Sequence, residues 1–216
     1  MPHHLDHTRL RLSVAFGTLN SAVSRLLVIQ HDEEPQTPIA LIEMSSSEQL
    51  QGIDAGDYDL GLSLTPAQSP TSSLALHRDE LAVTLPVRSP LLALENISLR
   101  DLAGYPLIMW AHDECAPLGE RIASMLQSEG AEMEVAHQVK SLGLLVSLVS
   151  AGYGIAFAGK SQITAARHLG VIMRPLSGLP HPLTTYLLHR EPFPDPRVER
   201  FVDRARRVAI APAQEV

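Results

Sequence analysis

The fold is decided near the start of the chain, by the stretch LRLSVAFGTLNS at residues 10–21. Large apolar residues occupy every second position from Leu10 to Phe16, which predicts a β-strand. Gly17 to Ser21 has the composition of a turn that ends in helix-capping residues. Apolar residues then recur at helical spacing between Ala22 and Ile29, which predicts a helix. A strand, a short polar turn and a helix are the first half of a β-α-β unit.

The same alternation continues along the chain. A strand at Ile39–Met44, a helix from Ser45 or Ser46 to about Ala55 and a strand at Leu60–Leu64 complete a β-α-β-α-β pattern, which is typical of a parallel sheet with crossover helices. A second alternating block follows, with these predicted elements: strand Tyr105–Ala111, helix Ala116–Glu129, strand Met133–Val139, apolar helix Ser141–Ala151 and strand Ile155–Ala158.

These blocks predict an α/β protein with two Rossmann-like lobes joined by two crossovers. We expect residues 10–85 and 162–210 to form lobe I and residues 86–161 to form lobe II, with crossovers near Pro86 and Lys160. The segment after Lys160 is assigned to lobe I because fewer than about 50 residues seldom build a core of their own. Residues 1–9 are expected to be the end of a linker and residues 211–216 a disordered tail.

Composition narrows the function. The 216 residues include 17 Lys and Arg against 24 Asp and Glu, for a net charge of −7, which disfavours direct binding to nucleic acid. The single cysteine, Cys115, excludes an intrachain disulfide and a cysteine-based zinc site. Without a predicted signal peptide or membrane span, we expect a cytoplasmic protein with no membrane partner.

Catalytic and metal motifs are weak. His3, His4 and His7 lack a carboxylate or thiol partner, so no metal site is predicted. Cys115 and the nearby His112 do not form a recognisable catalytic pair. The glycines around residue 154 have the wrong spacing and context for a dinucleotide-binding loop and are better explained as a helix stop. We therefore predict no catalytic residue, no cofactor and no enzymatic activity.

Binding chemistry is more evident at two turns. Gly17, Thr18 and Asn20 follow the first predicted strand, and Ser45 and Ser46 follow the second. Ligands of open α/β sheets bind at the carboxyl ends of strands, and helix N-termini favour anions. Each polar side chain could also serve only as a helix cap.

Two further features have alternative interpretations. Trp110, at the end of a strand, is either a core residue or a flat wall of a ligand site. The arginines between Arg197 and Arg207 are interleaved with Glu199 and Asp203 and are assigned to the solvent face of a final helix.

Five strings in this order and spacing resemble the effector-binding (co-inducer) domain of LysR-type transcriptional regulators, across about residues 10–208. The strings are LRLSV at 10–14, GDYDLGL at 56–62, DELAVTLP at 79–86, SLRDLA at 98–103 and LVSAGYGIA at 148–156. One departure is Gly159-Lys160, where many members have a proline.

The resemblance implies a periplasmic-binding-protein-like (type 2) fold that binds a small-molecule effector between its lobes. It implies effector contacts from the two turns, from the strand end at Trp110, and from Phe157 and Ala158. It also implies a dimer, a tetramer in the full-length protein, and DNA binding only through an N-terminal helix-turn-helix that precedes this segment.

The sequence thus predicts a ligand-sensing domain that binds a small anionic or aromatic effector and controls DNA binding and transcription by the full-length regulator. The alternative is a free-standing solute-binding protein of a transporter, which would have a similar fold.

Overall fold

The computed structural model describes residues 9–67, 70–112 and 115–210. Its strands are β1 (Leu10–Ala15), β2 (Ile39–Met44), β3 (Leu60–Ser63), β4 (Thr71–Pro86), β5 (Leu107–Trp110), β6 (Val135–Val139), β7 (Ile155–Gly159), β8 (Val171–Pro175) and β9 (Pro182–Arg190). Its α-helices are α1 (Ser21–Glu33), α2 (Ser46–Ala55), α3 (Ala116–Ser128), α4 (Leu142–Ser150), α5 (Lys160–Ala165) and α6 (Pro196–Ile210). The predicted alternation of strands and helices is confirmed, although β1 ends before Phe16. A short 3₁₀ helix, Leu99–Leu102, precedes β5.

The chain divides into two compact units. Unit 1 joins the part before Arg78 to the part after Leu183, and unit 2 is Arg78–Leu183. These boundaries differ from the predicted lobes, which assign residues 162–183 to lobe I. The physical reason is β8, which pairs antiparallel with β4 from Ala82–Pro175 to Pro86–Val171 and so belongs to the sheet of unit 2. The long β4 carries the first boundary in its interior rather than at Pro86.

Unit 1 is a sheet in the order β2-β1-β3-β9 with helices packed on it. β1 is parallel to β2 and β3, and β9 is antiparallel to β3. Because β1 is central, five of its six residues are buried, whereas the outer strand β2 leaves Leu41 and Ile42 exposed. The core contains these residues of β1, α1, β3 and α6 among others: Leu10, Leu12, Leu26, Leu62, Phe201 and Val202.

Helix α6 returns to unit 1 and packs beside α1. Its apolar face is fully buried in the core, as the sequence spacing predicts. The assignment of its arginines to a solvent face is wrong for Arg204, which is only 6% exposed. Arg204 donates hydrogen bonds to Glu33 and Gln30 of α1, and it is buried because these partners satisfy its guanidinium.

Unit 2 has its own sheet, in which β4 is antiparallel to β7 and β8 while β5 is parallel to β7 and β6. Helix α4 is almost entirely apolar, and Leu145, Val146 and Val149 are buried against the sheet. Helix α3 buries a stripe that includes Leu118, Ile122 and Met125.

Candidate functional site

Two turns of unit 1 lie side by side at the carboxyl ends of β1 and β2. The strands are parallel and their last residues, Ala15 and Met44, are paired. Neighbouring strands lie about 4.8 Å apart, so the turns that follow share one edge of the sheet. The structure therefore brings the predicted group of Gly17, Thr18 and Asn20 next to the predicted serines that begin α2.

The first turn is held by its own side chains. Gly17 has a positive φ of 81°, a conformation that glycine adopts without strain. The hydroxyl of the fully buried Thr18 donates to the Ala15 carbonyl at 2.7 Å. The Asn20 amide donates to the Thr18 carbonyl and to Thr185. The turn is consequently preformed, and the hydroxyl proton of Thr18 is committed to it.

Asn20 also caps α1. Its side-chain oxygen accepts from the backbone N–H groups of Ala22 and Val23 at 3.0 and 3.2 Å. The first turn of α1 contains no acidic residue. The positive end of this helix dipole is therefore not neutralised by a carboxylate of its own first turn, which favours a bound anion.

The second turn is electrostatically different. Ser45 caps α2 in a capping box with Glu48, and its hydroxyl also donates to the Glu48 carboxylate at 2.7 Å. This hydrogen bond, with one from the Ser45 backbone N–H, lowers the pKa of Glu48. A carboxylate thus already occupies the N-terminus of α2, which disfavours a second anion there. The half-buried hydroxyl of Ser46 has no partner among the described residues.

Gln49 is a residue of this edge that the sequence analysis missed. It is fully buried, and its side-chain amide donates to the carbonyls of Ser13 in β1 and Leu62 in β3. Its side-chain oxygen is buried without a partner in the described part of the chain. The signal for it was a polar residue four positions before the buried Ile53, on the inward face of α2.

The unit 2 residues of the predicted site are core residues. Trp110 is 2% exposed and its indole N–H donates to the Phe157 carbonyl at 2.8 Å. Phe157 and Ala158 are fully buried in β7. This supports the core interpretation of Trp110, and the contact of these three residues with an effector stays a prediction.

Gly159-Lys160, which stands where many proteins of the similar family have a proline, has a local explanation in unit 2. The Asp79 carboxylate accepts hydrogen bonds from the backbone N–H and the hydroxyl of Ser161, at 3.1 and 2.6 Å. A Cβ atom at position 159 would lie 2.6 Å from Asp79 Oδ2. Asp79 thus takes the place of a local cap for α5, and a side chain at position 159 would have to displace its carboxylate.

No metal or catalytic centre is evident in the described ranges. They contain no group of three His, Cys, Asp or Glu side chains suited to a metal ion, while His3, His4 and His7 lie outside them. Cys115 is buried, with its Sγ 3.8 Å from the Lys140 carbonyl, and His112 is exposed. In the same ranges, no helix has the length and apolarity needed to cross a membrane.

Comparison with known proteins identifies the family. Residues 3–209 match the model of the LysR substrate binding domain. The chain belongs to this family. A curated relative, the "Probable cat1 operon transcriptional activator" of Acinetobacter lwoffii, is 29% identical over 154 residues, which are 69% of this chain and 50% of the relative. The chain thus spans about half the length of that LysR relative.

Solved structures of effector binding domains have the same fold as this chain. The effector binding domain of QuiR in complex with shikimate has a TM-score of 0.79 at 21% identity, and the match covers 93% of this chain and 96% of that one. The BenM effector binding domain with its effector benzoate has a TM-score of 0.78 at 18% identity, covering 93% and 91%. The predicted periplasmic-binding-protein-like (type 2) fold and the LysR resemblance are confirmed. The relatives are transcriptional regulators, which confirms the prediction of a non-enzyme.

Proposed function

We propose that this LysR domain senses a small ring carboxylate through the paired turns of unit 1. The observation that carries the proposal is the preformed turn at Gly17–Asn20, which opens α1 without an acidic residue in its first turn. The ligand carboxylate would bind at this helix N-terminus rather than at α2, where Glu48 already places a negative charge. Ser46 would donate a hydrogen bond from the neighbouring turn.

The structural neighbours support this ligand class. Shikimate and benzoate, which are bound by QuiR and BenM, are both carboxylates that carry a six-membered carbon ring. The shared chemistry is a single negative charge on a compact ring, which suits one helix N-terminus with the adjacent hydroxyl donor of Ser46. The expectation that Trp110, Phe157 and Ala158 also contact the effector remains part of the prediction.

We further propose that the domain controls a full-length regulator that binds DNA through an N-terminal helix-turn-helix. An effector would act by binding one conformation of the protein more tightly than another. Self-association is supported by exposed apolar residues on α1 and β2, namely Val28, Leu41 and Ile42, because exposed apolar patches mark interfaces. Light scattering measures the oligomer directly. The solute-binding alternative is not favoured, since the relatives are regulators, and the cytoplasmic location stays a prediction.

The test is thermal stabilisation by benzoate and shikimate, each compared with its neutral amide. A ligand at 100 times its Kd adds about 2.7 kcal/mol of stability. We expect stabilisation by a carboxylate and little by its amide. Ser46→Ala should weaken binding about fivefold, because a hydrogen bond contributes about 1 kcal/mol.

Ser147→Ala is the matched control. Ser147 is also a helix serine, but it is exposed and donates to the Gly143 carbonyl within α4 of unit 2, so its loss should leave binding unchanged. If a panel of ring carboxylates produces no stabilisation, the proposed ligand class is wrong. If a carboxylate binds equally well to Ser46→Ala, the proposed contact is wrong.

A further inference from the structure

Unit 2 contains an open cavity of about 520 Å³ that the proposed function does not use. It is formed by the end of β4 and the turn after it, by Tyr105 and Pro106 before β5, and by the residues that connect α4 to β7. It therefore lies at the amino ends of β5 and β7, whereas Trp110 and Ala158 lie towards the carboxyl ends of these strands. Its volume is in the range of small-molecule sites, about 300–1,000 Å³.

The walls of the cavity are rigid. Pro86, Pro90 and Pro106 line it, and each has a fixed φ. The Ile155 N–H donates to the Pro106 carbonyl at 2.9 Å. A Cβ at position 154 would lie only 2.3 Å from that carbonyl oxygen, so the two backbone segments approach as closely as glycine allows. A preformed cavity loses little conformational entropy when a ligand binds.

The charge of the cavity is positive. Arg88 lines it with an exposed guanidinium that has no hydrogen bond or ion pair to the described residues. No acidic side chain is among the lining residues, although the chain carries a net charge of −7. The C-terminal end of α4 also borders the cavity. Two carbonyls at this end, those of Ser147 and Val149, accept hydrogen bonds from the N–H groups of Ala151 and Gly152.

We propose that this cavity is a second small-molecule site, which takes a bulky apolar carboxylate. The prolines and the half-buried ring of Tyr105 would contact the apolar body of the ligand, and Arg88 would bind its carboxylate. An arginine forms a paired, charge-assisted hydrogen bond with a carboxylate, whereas the apolar walls favour burial of a ring system. The site is separate from the turns of unit 1, so either proposal can fail alone.

The experiment is a titration of the whole chain with 2-naphthoate, followed by backbone amide NMR, with neutral 2-naphthamide as the matched ligand. We expect saturable shifts of the Val87, Ser89, Gly152 and Gly154 amides. Arg88→Ala should raise the Kd about tenfold, since a hydrogen bond to a charged group is worth roughly that factor. 2-Naphthamide should bind about as weakly to the parent chain as 2-naphthoate binds to the variant.

Three further variants define the site. Arg100→Ala removes another exposed arginine of unit 2 that does not line the cavity, and it should leave the Kd unchanged. Ala151→Trp places a large side chain at a lining position and should abolish the shifts. Arg88→Glu reverses the charge on an exposed side chain and is decisive if Ala151→Trp does not fold.

Three results would overturn the proposal. The first is the absence of shifts at these amides up to about 5 mM 2-naphthoate, beyond the millimolar range of weak ligands. The second is a Kd that neither Arg88 variant changes. The third is a set of shifts confined to the turns around Thr18 and Ser46, which would leave the unit 1 proposal standing.

Discussion

Replacement of Glu34 by glutamine tests the ionic cluster that joins α1 to α6. Glu34 directly follows α1, and its carboxylate is only 3% exposed. It accepts hydrogen bonds from Arg200 at 2.5 Å and from Thr37 at 2.8 Å, and it lies 2.8 Å from an Arg204 nitrogen. Because α6 completes the unit 1 core, we expect this cluster to stabilise the whole unit.

The structure provides the size of the stabilisation by Glu34 and the direction in which it changes with pH. Hydrogen bonds from Arg200, and to a lesser extent from Thr37 and Arg204, lower the pKa of Glu34 from 4.5 to about 2 against the opposing effect of burial. This difference corresponds to about 3 kcal/mol of unfolding free energy. Between these two pH values the unfolded chain binds more protons than the folded chain. The stabilisation is therefore present above pH 4.5 and is lost as the pH falls towards 2.

The assay is urea unfolding followed by far-ultraviolet circular dichroism, for the parent and Glu34→Gln, from pH 7 to pH 3. At pH 7 the variant should lose about 3 kcal/mol, since the removal of the buried carboxylate leaves buried Arg204 with only the exposed Glu33 as its counter-charge. The difference between the two proteins should shrink below pH 4.5, because Glu34 of the unfolded parent is then protonated while Glu34 of the folded parent stays ionised down to about pH 2.

The matched control is Glu33→Gln, the same substitution one residue earlier. Glu33 also bonds to Arg204 and Arg207, but it is 42% exposed, so solvent screens its ion pairs. We expect it to lose only a small part of what Glu34→Gln loses. Equal losses from the two variants, or a difference between parent and Glu34→Gln that does not change with pH, would refute the reasoning.

Two other predictions concern unit 2. Trp110→Phe removes the indole N–H that donates to the buried Phe157 carbonyl, and it should lower the unfolding free energy by about 1–3 kcal/mol in urea titrations; an unchanged midpoint would contradict the contact. Gly154→Ala, whose Cβ would lie 2.3 Å from the Pro106 carbonyl oxygen, should cost about 1–3 kcal/mol. Gly143→Ala in α4, where a Cβ meets nothing within 4 Å, should add about 0.5–1 kcal/mol. If calorimetry shows that Gly154→Ala and Gly143→Ala change the stability in the same direction, the argument from the space around each glycine is wrong.

The secondary structure was predictable because it depends on local pattern. The alternation from Leu10, the capping residues Asn20 and Ser45 and the apolar run of α4 each act within a few neighbouring residues. The edge on which the two unit 1 turns meet was also predictable, since parallel strands place their carboxyl ends together.

The roles of individual polar residues were less predictable. The sequence identifies Ser45 as polar and close to a helix start, but its capping box with Glu48 places a negative charge where an anionic ligand was expected. Gln49 was missed because its partners, Ser13 and Leu62, are 36 and 13 residues away. Trp110 was left open for the same reason, since its partner lies 47 residues along the chain.

By itself, the sequence determined the order of strands and helices, the family and the position of the turns at the sheet edge, because these follow from spacings between near neighbours. Only the tertiary structure decided that residues 162–183 belong to unit 2, that Arg204 is buried with Glu34, and that Arg88 borders a cavity without acidic groups. Each of these depends on contacts between residues far apart in the chain, and burial and charge pairing arise from such contacts rather than from local pattern.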